Sequence, residues 1–184
     1  MQKGRVRMID AIDSEGDYTA DFLELMEYTK HFNIHYQLLL RRYDRFQQID
    51  DIYNTDIDVI TYLDMIVVQL RAMCIENDRL KKNYTAQILL RKIGEDALAK
   101  KLDDMLDEEF LTAGTGFSIR KALKTLADGF ICHYDNFDKE AKDGWAMAEI
   151  IEKQLRNPYD KRNLDHIMKT VIECVGEGLI IKLA

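Results

Sequence analysis

Residues 55–74 read TDIDVITYLDMIVVQLRAMC, and the reading of this stretch decides the architecture. Val59, Ile60, Leu63, Ile66, Val67 and Leu70 recur at helical steps, with no glycine or proline among them. Thr55 or Asp56 is placed to cap the helix, because a short side-chain oxygen can accept from the free N–H groups of a first turn. The stretch ends near Cys74, in the polar run IENDRLKKN. A helix this apolar is expected at the centre of a protein, covered by other helices.

Those covering helices can be read outward from it. Upstream, Asp17 or Thr19 can cap a long helix running to about Asp50, with Phe22, Leu25, Met26, Phe32, Tyr36, Leu39 and Leu40 mostly at three- and four-residue steps. The turn YNTD separates the two. Downstream, Asn83 or Thr85 starts a short helix stopped by Gly94, and EDALAKKLDDMLDEEF continues as another. The loop LTAGTG leads into SIRKALKTLADGFICHYDNF, residues 118–137. A charged connection precedes a helix carrying Trp145, Met147, Ile150, Ile151 and Leu155, broken by Asn157-Pro158. Asp160 or Asn163 opens the last helix, apolar along Leu164, Ile167, Met168, Val171, Ile172, Val175 and Leu179. The expectation is an all-α, single-domain bundle of about seven helices over residues 17–184. Residues 1–16, with Lys3, Arg5 and Arg7, read as a polar N-terminal arm.

Bulk properties agree. One proline and nine glycines in 184 residues are too few for the many turns of a sandwich or barrel. A net charge of −7 argues against nucleic-acid binding through the overall field, although a local basic patch can act alone. Cys74, Cys132 and Cys174 are too sparse for a disulfide framework or a zinc ribbon, and read as reduced, mostly buried thiols. No apolar run reaches 18 residues and the N-terminus lacks a signal-peptide core, so a cytoplasmic location with no membrane partner is expected.

Four constellations can carry chemistry. Glu27, His31 and His35 lie four apart on the first helix; the two histidines can chelate a metal only with a distant third ligand, and otherwise are exposed or interface side chains. On the same helix Lys30, Arg41, Arg42 and Arg45 are interleaved with Tyr36 and Tyr43. That pattern can hold a nucleic-acid strand by phosphate contact and stacking, or it is a solvated face paired with nearby acids. GTGFSIRK can cradle a phosphate on free N–H groups, or is a connection in which Ser118 caps the next helix. His133, beside Tyr134 and Asp135, is either a functional group or a packed ring satisfied by Asp135 or by Asp64 of the central helix. No serine or cysteine has a nucleophile context, and no cofactor is expected.

The segment LKTLADGFICHYDNF resembles the end-of-helix signature of HEPN-type domains, closest to their branch linked to phage abortive infection. There a helix ends in a pattern similar to R-D-K-x-I-A-H-x-D. The preceding helix TDIDVITYLDMIVVQLRAMCIEND, followed by KKNYTAQILLRKIG, is also similar, so the resemblance spans roughly residues 55–137. It implies a helical bundle, often dimeric, with an RNA-directed role. Active members cut RNA with an arginine that holds phosphate and a histidine that acts as acid or base. Residue by residue, the histidine falls on His133, the aspartate of the pair on Asp128 and the trailing one on Asp135. Ala127 stands where the arginine belongs, with Arg120 upstream as the candidate substitute.

The sequence is therefore read as an HEPN-like protein associated with RNA or nucleoprotein in a phage-defence, toxin–antitoxin or counter-defence system, lacking the usual ribonuclease pair. If it is active, it cleaves RNA through His133. The alternative is an acidic, non-catalytic inhibitor or adaptor that binds another protein. A metalloenzyme on His31 and His35 comes last. A homodimer is expected, and the apolar last helix, ending in GLIIKLA, offers a face for it.

Overall fold

The computed structural model describes residues 19–49, 57–76, 84–111, 116–128 and 141–180. Seven α-helices lie among them: α1 (Ala20–Ile49), α2 (Ile57–Cys74), α3 (Ala86–Lys92), α4 (Asp96–Leu106), α5 (Ile119–Leu126), α6 (Ala141–Leu155) and α7 (Leu164–Val175). A π-helical turn, Gly176–Ile180, extends α7. The described residues contain no sheet, only one isolated antiparallel bridge between Glu109 and Ser118. The fold is an all-α bundle. Residues 1–16, His133 and Cys132 lie outside the described residues.

Local chemistry accounts for the helix ends. The Thr19 hydroxyl accepts from the Phe22 amide at 3.4 Å at the start of α1. Ser118 accepts from the Lys121 amide at 3.3 Å, and Asn163 from the His166 amide at 3.0 Å. After α3, Gly94 takes φ of +84°, and the Glu95 amide reaches back to the Leu90 carbonyl at 2.8 Å. This left-handed stop is cheap only for glycine.

Packing follows the apolar periods. α2 is the central helix: Val59, Leu63, Ile66, Val67, Leu70, Met73 and Cys74 are buried. α1 lies along one side of it, and α5 along another. α1 packs through a single stripe of Leu25, Phe32, Tyr36, Leu39, Tyr43 and Phe46. The stripe runs further than the sequence reading placed it, through Tyr43 and Phe46, while Met26 lies outside it at the surface. Gln69 is buried in the apolar helix α2 because α1 satisfies it: Arg42 Nη1 donates to its Oε1 at 2.6 Å, and its Nε2 donates to the His35 carbonyl. α4 packs on α3 and α7, and α5 on α6.

One expectation about the surface is overturned. The apolar side of the last helix is not a free dimer face, because Leu164, Ile167, Met168, Val171, Cys174, Val175 and Leu179 are all buried in the core. Ile172 alone of that predicted stripe is exposed. The helix is apolar because it packs against α4 within its own chain.

Candidate functional site

The end of α5 is fixed from two directions. Ser118 sets where the helix begins, and Ile119, Ala122, Leu123 and Leu126 anchor its buried side. That phase leaves Asp128 half-buried at the C-terminal end, facing the last turn of α2. There Arg71 meets it: the Arg71 Nε stands 2.5 Å from Asp128 Oδ1, a close ion pair without hydrogen-bond alignment at Nε. Arg71 Nη1 also lies 3.3 Å from Glu76 Oε1. Partial burial pulls the Arg71 pKa down, but Asp128 and Glu76 outweigh it and hold the guanidinium above its ordinary value. An arginine thus stands at the end of α5 although Ala127 occupies the position the resemblance assigns to it. Ala127 itself is buried in the core.

The same flank of α2 carries Asp64 and Val68, at helical steps of four and three from each other and Arg71. Seven residues separate Asp64 from Arg71, about 10 Å along the helix. Burial pushes the Asp64 carboxyl up to about 6. Glu152 of α6 is also raised, first by burial and then by the negative charge of Asp64. The flank therefore holds a fixed cation at one end and, at the other, a carboxyl whose pKa burial raises. Residues 129–140, which include His133, connect α5 to α6. The sequence marks this arginine weakly: Arg71 is the lone basic residue of a mostly apolar helix and needs an acid partner. Glu76 is local, but Asp128 lies 57 positions away, and no local pattern names it.

Arg120 does not stand with Asp128. Eight positions separate them, about 12 Å at helical rise. The Arg120 guanidinium faces α4, donating to Asp107 Oδ1 at 2.8 Å and Asp103 Oδ1 at 3.1 Å. Arg91 also donates to Asp103, and Gln87 Nε2 donates to Asp103 at 3.2 Å and to the Cys74 carbonyl at 2.8 Å. Burial raises the Asp103 pKa, but the two arginines outweigh it and lower it overall. Gln87, Arg91, Asp103 and Arg120 line a cleft of about 220 Å³ together with Cys74, Ile75 and Glu76 at the end of α2. Its charges are paired within the protein, so the network reads as a clamp between helices.

The basic run on α1 is divided by the helix. Tyr36 is 2% exposed and Tyr43 is buried, so neither ring offers a stacking face. The Tyr43 hydroxyl donates to Asp165 of α7 at 2.7 Å and accepts from Gln47 at 2.9 Å. Arg42 is committed to Gln69. Both tyrosines fall on the core stripe because they continue its three- and four-residue steps. Only Lys30, Arg41 and Arg45 remain on the outer face, where all three are exposed. His31 and His35 are exposed on a neighbouring flank, and no three His, Cys, Asp or Glu side chains converge to hold a metal among the described residues.

In the glycine loop, Gly116 has φ of +64° and its amide donates to Glu109 Oε1 at 3.3 Å. A carboxylate already takes that N–H, which disfavours an anion there. No helix among the described residues is long and apolar enough to cross a membrane. No protein-family model matches the chain, nor does any curated protein or solved structure.

Proposed function

We propose that the chain is an HEPN-like protein that associates with RNA or nucleoprotein in a phage-defence, toxin–antitoxin or counter-defence setting, through the α2–α5 junction and His133. The observation that carries this reading is the Arg71–Asp128 couple at the end of α5, five residues before His133. What supports the reading is that an arginine from another helix, Arg71, is paired with Asp128, the position on which the resemblance puts the aspartate.

The proposed activity is retention of RNA, not its cleavage. Arg71 with Asp128 and Glu76 forms a trio of net charge −1, so the cation is partly neutralised before any phosphate arrives. A guanidinium has five donors, and the two contacts leave some to meet a phosphate oxygen. The excess negative charge weakens the hold on a phosphate and argues still more strongly against stabilising a transition state, which needs an uncompensated charge aimed at the reacting phosphate. The test is incubation with labelled structured RNAs, wild type beside His133→Ala, scored for retention and cleavage. Retention without cleavage, weakened in the variant, is the expected result. Absence of retention in the wild type overturns the reading, and cleavage lost in His133→Ala replaces it with an active nuclease.

A second reading, an acidic protein-binding inhibitor or adaptor, is favoured by a separate observation. The net charge of −7 suits a basic partner. Capture of a stoichiometric partner from host lysate is its expected outcome, and recovery of none counts against it.

A further inference from the structure

The outer face of α1 has a spacing that reads the same in both directions. Counting from Ile34, Lys30 and Leu38 lie four residues away on either side, Glu27 and Arg41 seven, and Leu23 and Arg45 eleven. All seven are exposed, Ile34 and Leu23 each at 53% and Leu38 at 39%. At 100° per residue they fall within about 40° of the direction opposite the buried stripe. One side of α1 packs on α2, and the opposite side carries three apolar residues set among four charged ones, all exposed among the described residues.

We propose that this face binds a second copy of the chain, with the two α1 helices antiparallel and the two-fold axis at Ile34. Placed this way, Ile34 meets its own copy. Each Lys30 lies at the level of a partner Leu38, whose side chain its aliphatic stem can cover. Each Glu27 meets a partner Arg41, twice by symmetry, with Arg45 one turn further on. A two-fold contact requires a self-complementary surface, and this one has an acid paired with a base at equal distances from its centre. A parallel arrangement would set Glu27 against Glu27 and Arg41 against Arg41. The charges therefore specify direction, and the apolar residues supply the buried area. The paired segment spans 22 residue steps, about 33 Å of helix.

The inference does not rest on the RNA reading, since Arg71, Asp128 and His133 take no part in it. The test is the mass of the full chain in solution by sedimentation velocity and light scattering, at concentrations up to about 100 μM, well above a micromolar Kd. The wild type is expected to dimerise. Ile34→Asp, at a position already exposed, is expected to weaken the dimer at least about tenfold while the far-UV spectrum and melting stay unchanged. Glu27→Arg and Arg41→Glu are each expected to weaken it, and the double variant to restore it. A monomeric wild type overturns the proposal, and so does a dimer indifferent to Ile34→Asp. Loss in both single charge variants without restoration in the double overturns the antiparallel pairing.

Discussion

At the scale of single residues, the site depends on how burial and partners set each group's charge. Asp64 is the clearest case. Its folded pKa, about 6, lies above the ordinary 3.8. The folded chain therefore holds that proton more tightly than the unfolded chain. The contribution to stability is full below about pH 4 and is lost as pH rises through about 6. Asp64→Asn is expected to flatten urea-unfolding stability between those values and to raise it at pH 7 by about 1 kcal/mol, after discounting for the solvent-facing half of the group. An unchanged pH profile in the variant removes this account of Asp64. Cys74 is fully enclosed and burial pushes its thiol up to about 12; Cys174 is buried too. Neither is expected to react with iodoacetamide in the native protein at pH 8, and both are expected to react in denaturant, as peptide mapping would read. Native labelling of Cys74 would show that α2 opens far more readily than its packing implies.

At the scale of elements, close approach of leucine side chains to the π-helical turn after α7 crowds the position of Gly178. A Cβ at Gly178 would collide with Leu90 Cδ2 and crowd Leu98 of α4. Gly178→Ala is expected to destabilise the fold by about 1–3 kcal/mol, the usual cost of overpacking, read as a lowered urea midpoint. A midpoint equal to wild type would mean that Leu90 moves aside freely. The helices themselves were legible in the sequence, because apolar residues at three- and four-residue steps, Thr19, Ser118 and Asn163 at the caps, and Gly94 at a stop each act locally. The fate of the aromatics was legible only in part. Tyr36 fits both the core stripe and the basic run, and only the continuation of the stripe through Tyr43 and Phe46 decides that the rings turn inward. The apolar side of α7 carried the converse ambiguity: a stripe that covers a core and one that binds a partner have the same spacing.

For the whole molecule, the pairings that matter for function join residues far apart in the chain, where periodicity says nothing. Arg71 and Asp128 meet because α5 packs against α2, and Arg120 is drawn to α4 instead because Asp103 and Asp107 face it there. The result is a central apolar helix with one flank given to α1 and another to the polar strip from Asp64 to Arg71. The bundle so built separates two surfaces: the α2–α5 junction proposed for RNA and the outer face of α1 proposed for a second copy. The most direct measurement of the central claim is RNA retention by Arg71→Gln beside wild type at moderate salt, with helicity and melting followed in both. The account predicts that retention falls about tenfold, as expected for one lost charge-assisted hydrogen bond, while the fold persists. Equal retention by the variant and the wild type would contradict it.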